Sequence, residues 1–202
     1  TTISPRTITR QQVLSRVAAE NNDFKVAEKS MKSSINLGKY SYLKKIEDHT
    51  NLTKLYLDNN KTKDAIKVLA NARVEYKKDV AGIYHADVLE SLVQSKLGNE
   101  DKARELFENA IHNMPDDINN LPESLQKDII ANGEALNELE MVQSLKDDIE
   151  NPGKTSVGDR KAKQDKYKYL LINGKGMREY KNHKIGTAAK LFEEAAENLP
   201  DN

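Results

Sequence analysis

Four histidines, His49, His85, His112 and His183, are the side chains here best suited to proton transfer or metal ligation near neutral pH. A site would need two or more of them to converge with carboxylates. None is spaced as HxxxH or HExxH, and each falls in a different helical stretch, so they read as surface or packing residues. Gly153-Lys154-Thr155 has the ending of a phosphate-binding loop. The position where that loop needs its first glycine is Asp148, inside a helical pattern. There is no Gly-x-Ser-x-Gly and no cysteine nucleophile. Carboxylate pairs such as Asp147/Asp148 and Glu193/Glu194 occupy adjacent helical positions, which point about 100° apart and so diverge. The expectation is a non-catalytic chain with no cofactor and no metal.

One segment could contact nucleic acid. "RKAKQDKYKY" at 160–169 interleaves Arg160, Lys161, Lys163, Lys166 and Lys168 with Tyr167 and Tyr169, the pairing of cations and stacking rings that single strands use. The same residues suit two plainer roles: the tyrosines can pack within a hairpin, or the cations can face an acidic segment. Lys/Arg against Asp/Glu number 17 to 12 over residues 1–100, 5 to 13 over 101–158 and 10 to 7 over 159–202. An acidic middle thus lies beside basic flanks. Formal net charge is zero, so no overall field draws the chain to a polyanion, and nucleic acid is the alternative reading, not the favoured one.

The elements that must position these residues are helices. Ala27, Ala65 and Ala103 recur 38 residues apart, and Ala188 heads a further copy. A period of this size means stacked helical hairpins. Residues 1–8 read as extended lead-in, with Thr9 as an N-cap and Gln12 as its capping-box partner. Val13, Leu14, Val17 and Ala18 then share one face. The return helix runs from about Phe24 to Leu37 and stops at Gly38. Leu52, Leu55 and Tyr56, the turn 58–61, and Ala65, Leu69 and Ala72 make the second hairpin. Leu89, Leu92 and Val93, the turn around Gly98, and Ala103, Phe107 and Ala110 make the third, closed by Pro115. Residues 121–150 have helical spacing without the repeat pattern and form a degenerate fourth hairpin, with Gly133 as a turn or kink. "NPGKTSVGD" at 151–159 reads as a linker. The domain organisation is therefore a hairpin array over 1–150, a linker over 151–159 and a final hairpin over 160–202. No run of eighteen apolar residues spans a membrane. The lack of cysteine suits a reducing, cytoplasmic setting. The chain begins Thr1-Thr2 and is expected to be a piece of a longer protein or a processed form.

These residues together resemble the tetratricopeptide repeat, whose pattern places Gly, Tyr, Gly, Ala, Phe, Ala and Pro at set offsets over about 34 residues. The last copy matches at Gly176, Ala188, Phe192, Ala195 and Pro200, with Tyr180 one place late and His183 in place of the turn glycine. The third matches at Gly98, Ala103, Phe107, Ala110 and Pro115. The second keeps Leu52, Tyr56, Ala65 and Ala72, and the first Leu14 and Ala27. The resemblance implies an all-α, right-handed solenoid of about five hairpins, some degenerate. The ending from Asn173 to Asn202 is also similar to helical tails that follow the receiver domain in some bacterial two-component response regulators, which implies an output or docking arm in signalling.

In the tetratricopeptide family the first helix of each hairpin lines a concave face. Carried over on the alanines, that face holds Gln12, Arg16, Asn51, Lys54, His85, Leu89, Asn173 and Met177. Asn and Lys can hold a peptide backbone or a terminal carboxylate. The corresponding third-copy positions Val88, Leu89 and Leu92 are apolar, so a complete two-carboxylate clamp is absent. The resemblance therefore implies a scaffold that binds a protein or peptide in a groove or through a flank, with a homo-oligomer formed if a second copy caps the last repeat.

Overall fold

The computed structural model of the chain describes residues 5–36, 42–77, 79–115, 118, 121, 123–151 and 157–199. These residues form ten helices and no strand: α1 (Pro5–Glu20), α2 (Phe24–Asn36), α3 (Tyr42–Asp58), α4 (Thr62–Tyr76), α5 (Val80–Lys96), α6 (Glu100–His112), α7 (Glu123–Ala135), α8 (Leu139–Glu150), α9 (Val157–Lys181) and α10 (Ile185–Ala196). They pack in adjacent pairs, α1 with α2 through α9 with α10, and consecutive pairs then pack on one another.

Five turns of identical construction close the pairs. Asn22, Asn60, Gly98, Asn137 and His183 all adopt the left-handed conformation, with φ of 58°, 57°, 78°, 59° and 61°. In each, the next residue's N–H reaches back across the turn, from Asp23 to Ala18, Lys61 to Tyr56, Asn99 to Gln94, Glu138 to Gly133 and Lys184 to Glu179, at 2.8–2.9 Å. The left-handed residue itself donates to a carbonyl three residues back. This double bond satisfies carbonyls that a helix end otherwise leaves open. Asparagine and glycine tolerate the left-handed well best, which explains four of the five; His183 is the exception.

The repeating alanine sits four residues after each returning N–H. Ala27, Ala65 and Ala103 are completely buried and Ala188 is nearly so. Gly176 serves the same closeness from the other side, because a Cβ there would stand 2.7 Å from a ring carbon of Phe192.

Several expectations are corrected. α1 begins at Pro5, a residue whose fixed φ and missing N–H suit the first helical turn, so neither the extended lead-in over 5–8 nor the Thr9 cap holds. Gly133 is not the turn: α7 runs through it, and the turn is at Asn137. The linker's last residues, 157–159, belong to α9. Gly38, Pro200 and residues 152–156 lie outside the described residues. The face of α1 bearing Val13, Leu14 and Val17 does not enter the core; these residues are 53%, 43% and 47% exposed, and only Ala18 of that group is buried.

Two main apolar clusters meet on α5. Its Leu89 and Val93 join Leu52, Leu55, Ala65 and Leu69, while Tyr84 and Val88 join Phe107, Ile129, Met141, Leu145, Tyr167 and Leu171. α5 is thus covered on nearly every side, so its sequence lacks the one-sided stripe of a surface helix. Tyr167 and Leu171 place the middle of the 25-residue α9 inside that second cluster. Among the described residues no helix is long and apolar enough to cross a membrane.

Candidate functional site

Asp48 ties the first three helices together. Buried on α3, it accepts from Ser34 Oγ of α2 at 2.7 Å and from Gln12 Nε2 of α1 at 3.2 Å. Past this knot α1 and α3 diverge and leave a cleft of about 360 Å³, lined among others by Gln12, Arg16, Glu47, Asn51, Lys54 and Asp58. Four of the eight residues expected on a binding face therefore share one cleft. Their states differ. Gln12 is committed to Asp48. The Lys54 ammonium is bound to Asp128 of α7. Arg16 is exposed and Asn51 half-buried, and among the described residues neither makes a hydrogen bond or ion pair.

His85 and Leu89 are not on that face. They are 2% and 3% exposed, because α5 packs directly on α3 and closes the gap that stays open between α1 and α3. His85 Nε2 lies 2.9 Å from Thr50 Oγ1 of α3. Burial first, then the charges of Lys54 and His49, push its pKa down to about 3, so the imidazole is neutral. Its Nδ1 has no partner. Nearby, His49 Nδ1 meets the Tyr76 hydroxyl at 2.8 Å, with the two rings edge to face. These two histidines are thus parts of a buried polar layer. His112 is exposed at the end of α6 and His183 sits in a turn. Among the described residues no group of three His, Cys, Asp or Glu side chains could hold a metal ion.

Asn173 and Met177 line a separate cleft of about 260 Å³ between the α7–α8 turn and α9. Asn173 Nδ2 donates to Glu140 Oε2 at 3.4 Å, and Met177 is exposed. The wall of this cleft is an ion cluster. Glu138 Oε1 accepts from Arg104 Nη1 at 2.8 Å and also from Arg178 Nη1, while Arg104 Nη2 donates to the Leu136 carbonyl at 2.8 Å. Gly174 lies against it, since a Cβ there would stand 2.7 Å from Glu138 Oε2.

The basic segment 160–169 is turned inward at its centre. Tyr167 is 3% exposed, and its hydroxyl donates to Asp148 Oδ2 at 2.5 Å. Lys163 Nζ lies 3.9 Å from the same carboxylate. Of the roles open to this segment, the contact with acidic residues is thus realised, and one of the two candidate stacking rings is withdrawn from solvent.

Asp128 is a residue that the repeat pattern does not single out. Its carboxyl is pushed up by burial, against the lowering influence of Lys54, and its Oδ2 has no partner. The signal was present: Leu125, Asp128, Ile129 and Asn132 fall at the i, i+3, i+4, i+7 positions of a buried stripe. All four are buried. Comparison with models of known protein families and with curated proteins finds no match.

Proposed function

We propose that this chain is a protein-interaction scaffold of the tetratricopeptide type, a right-handed solenoid of helical hairpins that holds an extended segment of a partner protein in the cleft between α1 and α3. The observation that carries the reading is the contrast inside that cleft. Gln12, Asp48 and Lys54 are fixed by internal bonds, while the Asn51 amide and the Arg16 guanidinium remain free among the described residues. Fixed walls limit the ordering cost of binding. A free amide offers both a donor and an acceptor to a peptide bond, and a free guanidinium offers a fork to a carboxylate. Glu47 and Asp58, also in the lining, favour a segment that carries a basic side chain beside an acidic group or chain terminus.

A random-peptide display library panned on the full chain tests this, with affinities then measured by fluorescence anisotropy. Selected peptides should lose at least about tenfold in affinity to Arg16→Glu and Asn51→Ala variants whose thermal melts match the parent. Peptides that bind both variants as tightly as the parent would place recognition elsewhere. Lys54 is unsuitable for such a test, because replacing it leaves Asp128 buried without its cation.

A further inference from the structure

On the side of α1 away from the cleft, five residues form one stripe. Arg10, Val13, Leu14, Val17 and Glu20 are spaced i, i+3, i+4, i+7, i+10, so they share a helix face. All five are exposed, with the three apolar ones 53%, 43% and 47% open to solvent. Among the described residues neither Arg10 nor Glu20 has a hydrogen bond or ion pair. Ser15 and Ala18, on the inward side, are buried. An apolar strip ended by one free cation and one free anion is the pattern of an interface edge, not of a solvated face.

The order along the strip identifies the occupant. We propose that this face binds a second copy of the chain, with the two α1 helices antiparallel about a two-fold axis at the level of residue 15. That register sets Val13 of each copy against Val17 of the other and brings the two Leu14 side chains together near the axis. It also sets Arg10 against Glu20 twice. A two-fold contact must be self-complementary in this way. A parallel pairing would instead stack like charges at both ends, so the charges select the antiparallel arrangement. Gln12, Ser15 and Ala19 line the cleft on another side of α1, so dimerisation leaves the proposed peptide site open and does not depend on it.

Sedimentation velocity and light scattering on the full 202-residue chain decide it. The parent should associate to a dimer mass with rising concentration. Val17→Asp, at a position that contributes little to the fold, should stay monomeric with an unchanged melt. Arg10→Glu and Glu20→Arg should each weaken the dimer by about a hundredfold, because each places like charges opposite one another twice. An equimolar mixture of those two variants should recover the dimer, since every pair is then of opposite sign. A parent that is monomeric at all concentrations would overturn the proposal and leave the strip to a different protein. So would a dimer that survives Val17→Asp, or a mixture that does not recover association.

Discussion

Gly133 and Val142 face each other so closely that a Cβ on residue 133 would stand 2.6 Å from Val142 Cγ2. Val142 occupies the position held by Ala27, Ala65, Ala103 and Ala188 in the other hairpins, four residues after the returning N–H, and its own N–H bonds to Glu138 O at 2.9 Å in the same way. The large residue in α8 is thus offset by the absence of a side chain in α7.

Gly133→Ala should therefore destabilise the chain by about 1–2 kcal/mol, overpacking outweighing the gain in helix propensity. In a Val142→Ala background the clash is gone, and the same substitution should become stabilising by up to about 1 kcal/mol. Urea titrations of the four proteins in this cycle read the coupling directly. Additive effects would mean that the two residues do not compensate.

The exchange also explains what could be read from the sequence. The alanine period located the α1–α2, α3–α4, α5–α6 and α9–α10 hairpins because backbone crossings at those positions demand a small residue on the second helix. In the α7–α8 hairpin the small residue moved to the first helix, so alignment on alanine failed while the turn survived at Asn137. The same period put Gln12, Arg16, Asn51 and Lys54 on one face, and these four line one cleft. It misplaced His85 and Leu89, because equivalent positions on neighbouring helices are exposed only where the helices stand apart, and spacing along one chain does not encode that separation. The outward turn of Val13, Leu14 and Val17 was hidden for a related reason: an apolar stripe shows which residues share a face, not which face is covered.

His85 should make stability fall in mild acid. Its pKa is about 3 in the folded chain and near 6.5 when unfolded. Between those values the unfolded state holds a proton that the folded state refuses, so stability drops as pH falls through that window, by at most about 1.4 kcal/mol per pH unit. His85→Gln should flatten this limb of the stability curve. NMR titration of the imidazole gives an independent check; a His85 signal that titrates near its ordinary pKa would refute burial as the controlling influence.

Glu138 links α6, the α7–α8 turn and α9 through two arginines. With the carboxylate nearly buried, Glu138→Ala leaves Arg104 and Arg178 facing each other and should cost about 3 kcal/mol. Most of that loss should fall on the last hairpin, which docks beside this cluster. Hydrogen exchange should then show faster opening of α9 and α10, with α3 and α4 unchanged. Uniform acceleration along the whole chain would argue against a local docking role.

Asp128 and Lys54 give a prediction of opposite pH sign. Burial holds the Asp128 pKa above its ordinary value, so the folded state takes up a proton more readily than the unfolded one. The benefit of that protonation is fully present below the unfolded carboxylate pKa of about 3.9 and is lost as pH rises through the raised folded value. Asp128→Asn removes this dependence and keeps a similar shape, so its stability relative to the parent should improve as pH rises above the unfolded carboxylate pKa and through the raised folded one. Lys54 is partly exposed and can turn its ammonium to water once the carboxylate is gone. Lys54→Met instead strands a buried carboxylate and should cost about 3 kcal/mol at neutral pH. Asp128→Asn/Lys54→Met should then be more stable than Lys54→Met alone. Equal stability of those two proteins would show that the buried Asp128 carboxylate carries no energetic weight once its cation is gone.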